Sequence, residues 1–291
     1  TTLNEAMARF PKIFQKLDLA IVKMGEQTGV LPKSIEDLAA FLEWKEDIRS
    51  TIKRATIYPS FVLIVISAVI AVWVGYVLPQ MAVMLKEMGV ELPMATRNIL
   101  LASDFLRSYW HWILSGIIAF FLFLFFAQKT EKGGILLHKY FLKLPLFGTI
   151  ASNIAVARLS HNFSTMYGSG ISIGNIFNIL GNDVLGNRYL ENRLTTAYED
   201  IKRGESISRS FEKAGGFPSL LVGAIKNGET TGTIDATFDR LGDYYDGEVK
   251  RTVQAMVSAI EPLTILLLGG IFGLIALSIM MPLYDVISTF Q

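Results

Sequence analysis

Residues 60–78 read SFVLIVISAVIAVWVGYVL, and the run from 55 to 85 around them carries no Asp, Glu, Lys or Arg. A helix needs about 20 apolar residues to cross the roughly 30 Å hydrocarbon layer of a bilayer, whereas buried helices usually stop at about 10–14. Two more runs meet the same test: SYWHWILSGIIAFFLFLFFAQ at 108–128 and PLTILLLGGIFGLIALSIMMPLY at 262–284. The pattern predicts transmembrane helices at 55–78, 108–128 and 262–284. Each lies inside the chain, so none reads as a signal peptide.

Composition agrees with these runs. Of 291 residues, 51% are apolar or aromatic and 18% are charged, against roughly 25% charged in a soluble domain. High charge and few aromatics, the mark of disordered or nucleic-acid-coating chains, are both missing. The 27 basic residues nearly match the 26 acidic ones, so no bulk field draws polyanions. There is no cysteine, which removes disulfide scaffolds, thiolate metal sites and cysteine nucleophiles together. The chain begins with Thr1 and reads as part of a longer product.

Flanking Lys and Arg give an orientation, because positive residues stay cytoplasmic. Lys45, Arg49, Lys53 and Arg54 precede the first span; Lys129, Lys132, Lys139 and Lys143 follow the second; Lys250 and Arg251 precede the third. The expected layout is a partial first cytoplasmic helical module at 1–54 and a periplasmic connector at 79–107. A second cytoplasmic module, a six-helix bundle, takes 129–261, and a short periplasmic tail takes 285–291. Tyr109, Trp110 and Trp112 fit an interfacial aromatic belt at the outer end of the second span.

The chain repeats itself. Residues 25–29 read GEQTG and residues 228–232 read GETTG, an offset at which Leu38 falls on Leu241, Phe41 on Tyr244 and Ile57 on Ile260. Pro59 falls on Pro262 and Pro79 on Pro282, so prolines frame a span in both copies. With a one-residue gap, Leu3–Ala6 aligns with Ile207–Ser210. Residues 146–205 have no counterpart ahead of Thr1, and about 60 further upstream residues are expected in the complete product.

The cytoplasmic segments read as all helix. Apolar positions recur at helical spacing over Ile150–Tyr167, Ile173–Leu185 and Arg188–Lys202, with glycines between them. Ser206 opens a short helix, Pro218 takes a first-turn position, Gly228 is expected to end the next helix, and Ile234 starts a long one. No window alternates with period two between turn signals, so no strand is expected. The fold class is all-α: an integral membrane protein with three transmembrane helices and duplicated helical-bundle modules, the first copy truncated.

The repeated G-E-x-T-G, its place before a long helix, and the Pro entry to the span resemble the type II secretion F family. Residues 78–106, LPQMAVMLKEMGVELPMATRNILLASDFL, are also similar to that family's periplasmic connector. The resemblance implies a multipass inner-membrane platform of type IV pilus or type II secretion machines, with the bulk of the chain in the cytoplasm. It implies a hexameric cytoplasmic secretion ATPase, pilins or pseudopilins, other inner-membrane machine components, lipid and further copies of the chain as partners. Nucleic acid is not among them.

Gly25, Glu26, Thr28 and Gly29, with Gly228, Glu229, Thr231 and Gly232, admit two readings. One is a connection between helices, in which glycine takes the left-handed conformation and Thr28 or Thr231 caps the helix that follows. The other is a contact surface for the motor, or a carboxylate that binds a cation between subunits. Ser67, Ala71 and Gly75, and likewise Gly269 and Gly273, are spaced by four, which lets helices approach closely in lipid. They could pack this chain's own spans, a second copy or a pilin helix.

Gly168–Gly174 lacks the G-K-[ST] ending of a phosphate loop, and no H-E-x-x-H or G-x-S-x-G occurs. His111, His138 and His161 are far apart in sequence. No catalytic, cofactor-binding or metal-binding residue is expected, and the chain reads as non-enzymatic. A repeat-built small-solute transporter is the alternative. It would want polar residues at mid-membrane, where these spans carry no charge.

Overall fold

The computed structural model describes residues 2–11, 13–14, 16–87, 94–181 and 184–289. Among them every regular element is helical. In chain order these are α1 (Leu3–Ala8), α2 (Lys16–Thr28), α3 (Leu31–Val72), a π-helical turn (Trp73–Val77), α4 (Leu78–Glu87) and α5 (Met94–Lys129). They continue as α6 (Glu131–Phe141), α7 (Phe147–Gly168), α8 (Ile173–Leu180), α9 (Arg188–Lys202), α10 (Ile207–Ala214), α11 (Ser219–Thr231) and α12 (Ile234–Thr289). The chain divides into two compact units: residues 1–52 with 126–254, and residues 53–125 with 255–291.

The first unit is a helical bundle built around a chain of aromatic rings. Phe163 of α7 stacks on Phe238 of α12 with centroids 3.8 Å apart and tilts against Phe177 of α8. Phe177 meets Phe211 of α10, which meets Phe217. Phe163, Phe177, Phe211 and Phe238 are wholly buried, each worth about 1.5–3 kcal/mol in transfer free energy. Leu17, Ile21 and Val22 of α2 and Leu38 and Phe41 of α3 belong to the same core. The first-copy helices therefore share a core with the second module.

Local chemistry sets the helix ends. Asn187 caps α9, its side-chain oxygen accepting from the N–H groups of Tyr189 and Leu190, and Ser206 caps α10 by accepting from Arg209. Pro218 lies just ahead of α11 at its N-cap rather than inside its first turn. Gly228 does not end α11. That helix runs on to Thr231 and stops at Gly232, whose φ of 70° suits glycine. The α6 helix lies against α9: Gly134 is buried beneath Arg188, and His138 Nδ1 accepts the Arg188 N–H at 2.8 Å.

The second unit holds most of the apolar runs, and among the described residues three helices are long and apolar enough to cross a membrane. Its side chains show what lipid must cover: Phe61, Ile64, Phe121, Phe123 and Leu266 are all exposed. Pro59 lies inside α3, and Pro262 inside α12, without ending either helix. Proline has no N–H, so each costs its helix one hydrogen bond. Pro79 follows the π-helical turn at the start of α4. Pro282 lies within α12, but its side chain is outside the described residues. The connector is largely helical, since α5 already begins at Met94; residues 88–93 and 290–291 are outside the described residues.

Candidate functional site at the repeated glutamate motif

The two copies of the motif build the same junction. In each, the first glycine is buried where two helices cross. A Cβ on Gly25 would stand 2.4 Å from Ser34 Oγ and 3.2 Å from Leu31 Cα; on Gly228 it would stand 2.5 Å from Thr237 Oγ1 and 3.3 Å from Ile234 Cα. Ser34 and Leu31 precede Thr237 and Ile234 by the repeat offset, so the crossing itself is duplicated. The last glycine of each motif, Gly29 or Gly232, takes positive φ and lets the chain leave the helix.

Between these glycines sits the carboxylate. Glu26 accepts the backbone N–H of Leu3 on Oε1 and of Asn4 on Oε2, the latter at 3.4 Å. Glu229 accepts the N–H of Ile207 on Oε1 and of Ser208 on Oε2, the latter at 2.9 Å, and also the Ser208 hydroxyl. Both carboxylates thus sit on the N-terminus of an equivalent short helix, α1 or α10, where free N–H groups and the helix dipole favour negative charge. Each closes a loop about twenty residues long from the end of one helix to the start of an earlier one.

The threonines depart from the sequence expectation. Thr28 and Thr231 do not cap the following helix. Each lies in the last turn of its own helix and donates its hydroxyl backward, to Met24 O and to Asn227 O at 2.8 Å. The glycine turn comes between threonine and next helix, so the hydroxyl has nearer carbonyls than forward N–H groups. The outer part of each motif, Gln27–Gly29 and Thr230–Gly232, is exposed.

A second constellation escapes the motif reading. Asp246 Oδ2 on α12 accepts from Trp44 Nε1 of α3 at 2.8 Å and lies 2.9 Å from His161 Nε2 of α7. The Trp44 and His161 rings also meet, tilted by 44° with centroids 4.6 Å apart, and Gly242 leaves room for the imidazole against α12. Lys250 pairs with Asp47 at 3.1 Å nearby. His161, Asp243 and Asp246 each bring a potential ligand atom within 4.8 Å of the others. The imidazole and the Asp246 oxygen facing it are engaged with each other, so the set acts first as a clamp between first-copy α3 and the second module. The repeat could not reveal it, because the position one offset after Trp44 is Gly247. The spacing of Asp243 and Asp246 on one helix face was the available signal.

In the apolar runs, Ser67, Ala71, Gly269 and Gly273 are exposed, and a Cβ on Gly75, Gly269 or Gly273 meets no atom within 4 Å. Among the described residues, no close approach within the chain uses these glycines.

The family model for type II secretion system protein F matches two stretches, residues 1–79 and 159–282, and each holds one copy of the duplicated junction. The chain belongs to that family. The type IV pilus assembly protein PilC of Thermus thermophilus is 32% identical over 292 residues, covering 98% of this chain and 70% of that protein. PilC of Myxococcus xanthus is 29% identical over all of this chain and 70% of its own length. The type II secretion system protein F of Aeromonas hydrophila is 27% identical, covering 98% of this chain and 73% of its own. Pilus and secretion relatives match equally broadly, and family membership with three apolar helices makes this a membrane protein of secretion or pilus machinery.

Proposed function

We propose that the chain is a non-enzymatic inner-membrane platform that passes movement from a cytoplasmic secretion ATPase to pilins or pseudopilins. The observation that carries this reading is the unbroken course of two helices. Helix α3 runs from Leu31, at the motif, to Val72 in the first apolar run, and α12 runs from Ile234 to Thr289 through the third. A helix resists bending better than a loop, and with Pro59 and Pro262 as the points of flexure a push on either motif would still travel along the same element. The positive-inside distribution supports a cytoplasmic side for residues 1–54 and 129–261, and there the exposed tips Gln27–Gly29 and Thr230–Gly232 would offer surfaces to the motor. Uncharged grooves at Ser67, Ala71 and Gly75 and at Gly269 and Gly273 suit a pilin helix or a second copy.

Non-enzymatic action fits the way the two glutamates are spent on backbone N–H groups. The test is a short glycine insertion at Thr51 or at Thr252. It should abolish fibre assembly or secretion in cells while membrane insertion and abundance, read by fractionation and blotting, stay normal. Normal piliation with the insertion would overturn the reading. Co-purification of the detergent-solubilised chain with the ATPase should be lost when the exposed tips are replaced.

A further inference from the structure

Helix α5 ends at Lys129 and α6 begins at Glu131. Residues 108–128 cross the bilayer, so covalent continuity leaves α6 at the level of the lipid headgroups whatever follows it. Its chemistry suits that level. One side of α6 is spent on α9, through buried Gly134 and through His138, which accepts the Arg188 N–H. At about 100° per residue the opposite side carries Lys132, Leu136 and Tyr140, with Lys139 at its edge, its ammonium reaching toward Tyr189 of α9. Leu136 is 54% exposed and Tyr140 60% exposed, and they stand one turn apart. The end of α6 and the segment after it expose further apolar side chains, Phe141, Leu144, Leu146 and Phe147. Lys143 reaches over the Tyr140 ring at 5.6 Å, and Lys139 lies 5.8 Å from the Tyr189 ring.

A soluble surface has no reason to gather such side chains. An interfacial helix does: leucine and aromatic rings enter the acyl boundary while lysine stems lie along them and lift their charges to the phosphates. We propose that residues 131–147 form an amphipathic anchor lying in the headgroup layer, and that it prefers anionic lipid. Lys132, Lys139 and Lys143 outnumber Glu131 on this segment, which sets the sign of the preference. The inference rests on 108–128 being a span and not on the platform role.

The absence of cysteine makes a clean test. Single variants L136C, Y140C and, as a control on exposed α9 surface, T196C are spin-labelled in the full chain and reconstituted into vesicles. One set is phosphatidylcholine alone and the other is equal parts phosphatidylcholine and phosphatidylglycerol. The ratio of oxygen to nickel-chelate accessibility should be several-fold higher at 136 and 140 than at 196, and higher in the anionic vesicles. Adding K132Q and K139Q should erase the difference between the two lipids. Ratios at 136 and 140 equal to that at 196 would overturn the proposal by placing the face in water. Immobile labels closed to both reagents and indifferent to lipid would overturn it in favour of a protein partner or a second copy. A fourth outcome, apolar insertion with no lipid preference, would overturn the charge half of the proposal.

Discussion

Between the two copies of the repeat, the motif's backbone contacts agree, and so does the burial of Leu38 and Leu241, but the burial of other equivalent side chains does not. Glu26 and Glu229 grip equivalent helix starts, and Gly25 and Gly228 sit in equivalent crossings. Yet Phe41 is 8% exposed while its counterpart Tyr244 is 43% exposed, and Leu17 is 3% exposed while Leu220 is 48%. The first-copy helices turn these positions toward α7 and α12, with Trp44 clamped on Asp246. The second-copy helices leave theirs outward. The junction is thus a local device that tolerates different neighbours, and the faces around it are free to be reassigned.

The largest test of that contrast is at the crossings. Gly25→Ala and Gly228→Ala should each lose about 1–3 kcal/mol, read from thermal unfolding of the full chain in detergent, because both place a methyl group against a neighbouring side chain and close to backbone. Adding Ser34→Gly or Thr237→Gly to the matching alanine should recover part of the loss. Alanine variants as stable as the parent would break the claim that the crossing dictates glycine.

Next come the carboxylates. Glu229→Ala should cost about 0.5–2 kcal/mol, the range for losing a side-chain acceptor at a helix N-terminus. Glu26→Ala should cost less, since Glu229 also holds the Ser208 hydroxyl, while α1 keeps its own capping box between Thr2 and Glu5. Equal costs would blur the distinction between copies. Ser208→Ala should narrow the gap.

The clamp belongs to the region where the copies differ. Trp44→Phe removes one donor and should cost about 0.5–1.5 kcal/mol, with a non-additive partner effect in Asp246→Asn that a double-mutant cycle reads out. Additive behaviour would deny that the clamp couples α3 to α12.

The smallest effect is a pH dependence. Burial, and then the Arg188 charge, lower the His138 pKa below its ordinary value. The unfolded chain therefore binds the proton more readily than the folded one, and stability rises with pH across this transition. The contribution is complete above about pH 6.5 and is lost as pH falls toward the depressed folded value. His138→Gln should flatten the slope between about pH 5 and 7. An unchanged slope would remove His138 as its source.

Much of this was legible in the residues. Charge-free runs mark the apolar helices, and the G-E-x-T-G offset marks both junctions. Helix α9 keeps the limits its apolar stripe gives, Arg188 to Lys202. The role of the glutamate was not legible, because its donors lie more than twenty residues back on another helix and periodicity carries no information on that distance. Thr28 and Thr231 misled for the opposite reason: a hydroxyl near a helix start suggests a cap, and only the intervening glycine turn shows which backbone groups are nearer. The continuation of α11 through Gly228 has a similar cause. A glycine demanded by close packing looks, in sequence, like one demanded by a turn.

The π-helical turn at Trp73–Val77 has a geometric consequence for anything that rides along the first apolar run. A regular helix would stack Ser67, Ala71, Gly75 and Pro79 in one slanted row. The wider turn advances each residue by less than the usual 100°, so by Leu78 the row has swung round by about a quarter of a circle. A rod-shaped visitor following the notch would lose its track at Gly75 and face a different side of the shaft beyond it.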